Sequence, residues 1–201
     1  DQGIYDDYAP AENNTIINMM GPMGVMEPVW RCSGVHVHQA GGFKARLDVA
    51  DTSKGLQVSL WINDSANNDH RLYVGSEGVN TLAGSYNSNP YFKASFGLPK
   101  PNKWYLLVAV FHPEGYQGGE TGRSGVYDPE TGEKVGAVTE FALTSANSQI
   151  LRAFRYAAET ADTYAYFARP RVEVINGEEM SIGALLGRIP NDGTSAINFY
   201  T

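Results

Sequence analysis

From residue 43 onward, apolar and polar positions alternate with a period of two, which a strand can use and a helix cannot. Phe43, Ala45, Leu47 and Val49 fall on one face of a first segment, with Lys44, Arg46 and Asp48 on the other. In residues 55–63, Leu56, Val58, Leu60 and Ile62 alternate with Gln57, Ser59, Trp61 and Asn63. Residues 71–75 form a shorter strand. Residues 104–111 are apolar on both faces, which predicts a central strand covered on both sides. Residues 125–127 and 134–138 flank Asp128-Pro129-Glu130-Thr131-Gly132, a hairpin turn by its residue types. Residues 150–158 and 164–175 supply the last long strands. Only residues 181–186 read as helix, with Ser181 to cap it and Gly187 to end it. No helical period is sustained over ten residues, and no internal repeat interrupts the series. The pattern predicts an all-β chain, a two-sheet antiparallel β-sandwich with one short helix near the C-terminus. It divides into an extended lead-in over residues 1–28, connecting to a fibre or a neighbouring chain, a sandwich over 29–187, and a trailing segment over 188–201.

Composition narrows the function classes. The 201 residues suffice for one sandwich with a sizeable core. At 11% aromatic and 18% charged residues the chain is too apolar and too weakly charged to be disordered. A formal charge of −7, without any Lys/Arg cluster, argues against nucleic acid as a partner. The single cysteine, Cys32, permits no internal disulfide. No apolar run reaches the roughly 18 residues of a membrane span, so no membrane insertion is expected. Ile16, Ile17, Met19, Met20, Met23, Val25 and Met26 in the lead-in have no alternating partner face, nor does the apolar tail from Ala196 to Tyr200. Chains meeting at a shared axis can bury such residues, which predicts a homo-oligomer, with a trimer as the expected form.

Catalytic chemistry is sparse. Glycoside hydrolysis takes two carboxylates roughly 5–10 Å apart. Asp128, Glu130 and Glu133 satisfy the spacing but sit in a turn, where acidic residues are ordinary. Tyr91 to Ser95 is faintly similar to the tyrosine strand of alginate lyases, and His36 with His38 to their histidine strand. The arginine/glutamate strand of those enzymes is missing, and Tyr91 is mid-chain rather than near the C-terminus. His36 and His38 share a strand face, but His70 and His112 are not brought near by sequence to complete a metal site. Nucleotide-binding and serine-hydrolase motifs are absent. No catalytic residue and no cofactor are expected. A structural calcium could sit on Asp48 and Asp51, or on Asp64 with Asn67, Asn68 and Asp69, although no spacing is diagnostic.

Binding chemistry is better represented. Trp61 lies on the polar side of its strand with Gln57 and Ser59, and Tyr73 shares parity with Arg71. An aromatic ring beside amides, hydroxyls and a guanidinium suits a sugar, whose C–H face packs on the ring while its hydroxyls take hydrogen bonds. Either this face is open to a ligand, or a second layer covers it and Trp61 is core. Two loops are further candidates: Tyr86, Asn87, Asn89 and Tyr91 in one, Tyr116, Gln117 and Arg123 among glycines in the other.

The strings Gly55-Leu56-Gln57-Val58-Ser59-Leu60-Trp61-Ile62, Asn89-Pro90-Tyr91-Phe92 and Lys103-Trp104-Tyr105-Leu106-Leu107-Val108 occur in that order. They are followed by Gly125-Val126-Tyr127-Asp128 and by Tyr166-Phe167-Ala168-Arg169-Pro170-Arg171-Val172, then Asn176-Gly177 and Ser181-Ile182. This series resembles the concanavalin-like or jelly-roll modules found near the ends of bacteriophage tail fibres and of large bacterial surface proteins. The resemblance spans about residues 55–187. It implies non-catalytic attachment to a cell-surface glycan or receptor, on a virion or cell surface, among other fibre proteins. It supplies no agreed set of ligand residues. A purely structural decoration or assembly domain, and a polysaccharide lyase or glycosidase, are the alternatives.

Overall fold

The structure, a computed structural model, describes the backbone of residues 16–20, 24–25, 29–33, 42–48, 51–65, 71–76, 79–87, 91–93, 98–145, 148–156 and 164–190. Side chains are described for residues 51–65, 79–86, 98–145, 168–169 and 171–190. Among these residues the strands are β1 (Ile16–Met20), β2 (Gly24–Val25), β3 (Val29–Ser33), β4 (Gly42–Asp48) and β5 (Leu56–Asp64). They continue with β6 (Arg71–Ser76), β7 (Val79–Thr81), β8 (Tyr86–Asn87), β9 (Tyr91–Lys93) and β10 (Trp104–His112). The series closes with β11 (Gly125–Tyr127), β12 (Lys134–Ala137), β13 (Phe141–Ala142), β14 (Ser148–Tyr156) and β15 (Tyr164–Val174), before the helix α1 (Ile182–Leu186).

The strands form two sheets, as the alternation requires. A five-stranded sheet runs β1-β4-β14-β6-β9, and a ten-stranded sheet runs β2-β15-β5-β10-β13-β7-β8. In the second sheet β3 also pairs with β15, and the hairpin β11–β12 attaches to β10. The hairpin turn closes through Asp128 N–H to Glu133 O at 2.9 Å and Gly132 N–H to Asp128 O at 2.8 Å. Gly132 holds φ at +73°, a left-handed conformation that glycine adopts without a Cβ penalty. Strand β10 is buried along its whole length and is flanked by β5 on one side and by β11 and β13 on the other. It is therefore the doubly covered strand that its two apolar faces predict. Helix α1 begins after Ser181, whose hydroxyl accepts from Ala184 N–H, and ends at Gly187, as expected.

Two features depart from expectation. The sandwich is not purely antiparallel: β1 runs parallel to β4, and β10 parallel to β13. Period-two alternation fixes which face is buried but carries no strand direction. Direction follows from the connections, and the β11–β12 hairpin between β10 and β13 supplies the return that a parallel pair needs. The second departure is in the lead-in. Residues 16–20 pair with β4 and residues 24–25 with β15, so these two pieces belong to the sheets of their own chain. That removes part of the argument for an oligomer built on unpaired apolar residues there.

The registers define the two faces of the large sheet. Leu56, Val58, Leu60 and Ile62 pair with Phe111, Ala109, Leu107 and Tyr105, all buried, and Val126, Phe141 and Val79 continue this inner face. The other face carries Gln57, Ser59, Trp61 and Asn63 opposite Val110, Val108, Leu106 and Trp104. Over this outer face the chain lays a further layer, residues 175–190 with α1.

Candidate ligand-binding face

That layer decides the fate of the Trp61 platform. Trp61 is only 2% exposed. It packs with Trp104, Leu106, Val108, Tyr127, Ala168 and Leu185, and Met180, Ile182 and Leu186 lean on the same cluster. Parity along the strand places Trp61 opposite Leu60 and Ile62, as predicted, but its face is roofed by α1 and is not open to a ligand. Gln57 and Ser59 are buried with it. Gln57 is committed internally: its amide donates to Met180 O at 2.8 Å, and its carbonyl accepts from Arg123. The open platform at Trp61, Gln57 and Ser59 is thus corrected to a covered core. Its physical reason is tertiary: five helical residues far along the chain supply the Leu185 side chain that seals it.

The glycine-rich loop, residues 113–124, stands differently. Its residues from Glu114 to Gly122 are exposed apart from Tyr116, yet its base is fixed by a buried carboxylate. Glu140, at the foot of β13, accepts from Thr121 N–H at 2.8 Å, Thr121 Oγ1 at 2.6 Å and Ser124 N–H at 3.3 Å. His112 Nε2 lies 2.6 Å from Glu140 Oε2. Burial pushes the Glu140 carboxyl up, but the hydrogen bonds from Thr121, His112 and Ser124 outweigh it and hold the group below the usual glutamate range. Tyr116 stacks on the His112 ring at 3.9 Å between centroids, nearly parallel, and its hydroxyl donates to Gly119 O at 3.0 Å. A Cβ at Gly118 would run into the Tyr116 phenol, so a larger residue there would have to push the ring aside. Arg123 closes the far side of the loop, pairing with Glu179 at 2.9 Å and binding Gln57. Hydrogen bonding to Arg123 draws the Glu179 carboxyl down to about 2.

Tyr116 and Arg123, both expected as ligand contacts, therefore act as fasteners of the loop. Gln117, Glu114 and Glu120 are exposed on it, with Glu114 accepting from the Thr52 hydroxyl at 2.8 Å and Glu120 from Glu140 N–H at 3.3 Å. Tyr86, in β8 at the edge of the large sheet, is 66% exposed. Arg71 and Tyr73 lie in β6, Asn87 in β8 and Tyr91 in β9, placed by backbone; Asn89 lies outside the described residues. So do His36, His38, His70, Asn67, Asn68 and Asp69, while Asp48 is placed by backbone at the end of β4. Asp51 caps its own turn by accepting from Ser53 N–H at 3.0 Å and from the Ser53 hydroxyl, and Asp64 is buried at the end of β5. Among the described residues no three His, Cys, Asp or Glu side chains are grouped to hold a metal. The turn carboxylates Asp128 and Glu130 share Lys103, at 2.8 and 2.6 Å. No described helix is long and apolar enough to cross a membrane. The anchoring cluster of His112, Glu140 and Thr121 was missed in the sequence, where its members are spread over 29 positions (112 to 140) with no shared motif.

No protein-family model matches the chain, and no curated protein matches it. Among solved structures it is similar to a proposed sugar binding protein from Bacteroides thetaiotaomicron, at 7% identity and a TM-score of 0.38, covering 77% of this chain and 83% of that one. It is also similar to botulinum neurotoxin type C, which depends on interaction with two ganglioside molecules to enter cells, at 10% identity and a TM-score of 0.38. A third is the binding domain of botulinum neurotoxin serotype G, at 9% identity and a TM-score of 0.34. These matches cover 82% and 79% of this chain, which spans under half the length of either neurotoxin chain, 44% and 46%.

Proposed function

We propose that this domain is a non-catalytic glycan- or receptor-binding module of a phage tail fibre or comparable surface fibre, and that it contacts its ligand through the loop 113–124 and Tyr86. One observation carries the reading: an exposed, glycine-rich loop is held at its base by a carboxylate that is 1% exposed and hydrogen-bonded on both oxygens. Burying a carboxylate is costly unless it is fully satisfied, and the exposed loop residues gain no packing in return. Fixing a loop in advance does lower the ordering cost of binding, which gives the arrangement a purpose. The fibre setting rests on the sequence resemblance over residues 55–187. Assembly as a homo-oligomer, a trimer at a fibre tip, belongs to the same reading and is checked by light scattering on the full chain.

The test is binding to a broad glycan array and to host cells by the unaltered chain and by Gln117→Ala. Gln117 is exposed and donates only within its own loop, to Gly115 O at 3.2 Å. The substitution should leave stability within about 0.5 kcal/mol and weaken binding several-fold. Binding that survives Gln117→Ala, Tyr86→Ala and their combination unchanged would place the contact elsewhere on the domain.

A further inference from the structure

Residues 175–180 carry the chain from β15 into α1, and in this connection Asn176 immediately precedes Gly177. Both residues are exposed. Gly177 holds φ at +92°, and no atom lies within 4 Å of where its Cβ would be. The turn is therefore open to water. Asparagine before glycine is prone to deamidation, because glycine has no side chain to keep its nitrogen away from the preceding side-chain carbon.

Two contacts act on the reacting atoms in opposite senses. The electrophile is Cγ of Asn176, whose Oδ1 accepts from Glu178 N–H at 2.9 Å. That bond stabilises the negative charge that collects on the oxygen when Cγ is attacked. The nucleophile is the nitrogen of Gly177. Its N–H donates to Glu179 Oε2 at 2.8 Å, beside Asn176 N–H at 3.1 Å. A carboxylate there holds the hydrogen and opposes its loss, because the nitrogen left behind would be an anion facing an anion. Arg123 keeps the carboxylate in position, donating from Nη1 to Glu179 Oε1 at 2.9 Å. The same bond draws the Glu179 carboxyl down to about 2, so the group stays ionised at neutral pH and is too weak a base to take the proton itself.

We infer that Asn176 is a site of spontaneous deamidation through Gly177, and that Glu179 restrains the reaction in the folded chain. The Gly177 nitrogen loses its proton to hydroxide and bonds to Cγ of Asn176. The side-chain amide nitrogen takes a proton from water and leaves as ammonia, which closes a succinimide ring. Water then adds to either ring carbonyl and breaks its bond to the nitrogen, giving aspartate or isoaspartate without any change of oxidation state. Either product puts a new carboxylate at the seam where Arg123 ties the loop 113–124 to the C-terminal layer.

The experiment incubates the full chain in mildly alkaline buffer, folded and, in parallel, unfolded in urea. Peptide mass mapping follows the exchange of the Asn176 amide for an acid. The unaltered folded chain should deamidate far more slowly than the same chain in urea. Glu179→Ala should speed the folded reaction about tenfold, the change in population that goes with losing one charge-assisted hydrogen bond. Glu179→Gln keeps an acceptor oxygen without the charge and should fall between. Circular dichroism checks that each variant is folded, and if Glu179→Ala does not fold, Glu179→Gln decides. Ile182 packs from α1 on the Trp61 cluster, so Ile182→Ala loosens the layer without touching the turn and should leave the rate nearly unchanged. A folded chain that deamidates as fast as in urea, Glu179 variants that match the unaltered chain, an Ile182→Ala rate equal to that of Glu179→Ala, or no reaction at Asn176 even in urea overturns the inference.

Discussion

At the scale of single residues, the same side-chain types do opposite work according to what covers them. Trp61 and Tyr86 are both aromatic and both on the outer face of the large sheet, yet one is sealed and the other is 66% exposed. Replacing Trp61 with Ala should therefore cost about 3–5 kcal/mol of folding stability, from lost burial and the cavity left in its cluster. Denaturant midpoints check this, and a near-neutral Trp61→Ala would mean that α1 does not seal the face. The parity of Trp61 was legible in the sequence, because Leu56, Val58, Leu60 and Ile62 leave no other side for it. Its cover was not, because Leu185 lies 124 positions away and carries no mark of its destination.

At the scale of elements, β10 is the organising strand. It pairs with β5, β11 and β13, and it contributes both to the inner core and to the cluster beneath α1. Leu107 faces the inner core with no exposed surface to lose beyond 2%. Leu107→Ala should lower stability by about 2–5 kcal/mol, and unchanged unfolding midpoints would show the strand to be peripheral. The β11–β12 hairpin and α1 were readable from local signals, since the Pro129–Gly132 turn and the Ser181 and Gly187 stops act within a few residues of themselves. The short strands β7, β8 and β13 were not read. With two or three residues each they offer no alternation to count, and they exist because a neighbouring edge is there to pair with.

At the scale of the whole molecule, the polar ties between loop, sheet and C-terminal layer make stability depend on acid. Glu140 and Glu179 both have carboxyls lowered in the folded chain, Glu179 to about 2 from an ordinary value of 4.5. A lowered folded value means that the ionised group stabilises the fold above its unfolded value and loses that contribution as pH falls through the folded one. The melting temperature should fall between about pH 4.5 and pH 2, and Glu179→Gln should flatten the slope in thermal melts taken across that range. Sequence alone determined the all-β class, the long strands, helix α1 and the sidedness of β5, because each follows from residue types within one local period. Tertiary structure alone decided that Trp61 is core and that Tyr116 and Arg123 fasten a loop. Those outcomes depend on which distant segment pairs with or lies over another, and a period of two records the face of a strand but never the identity of its neighbour.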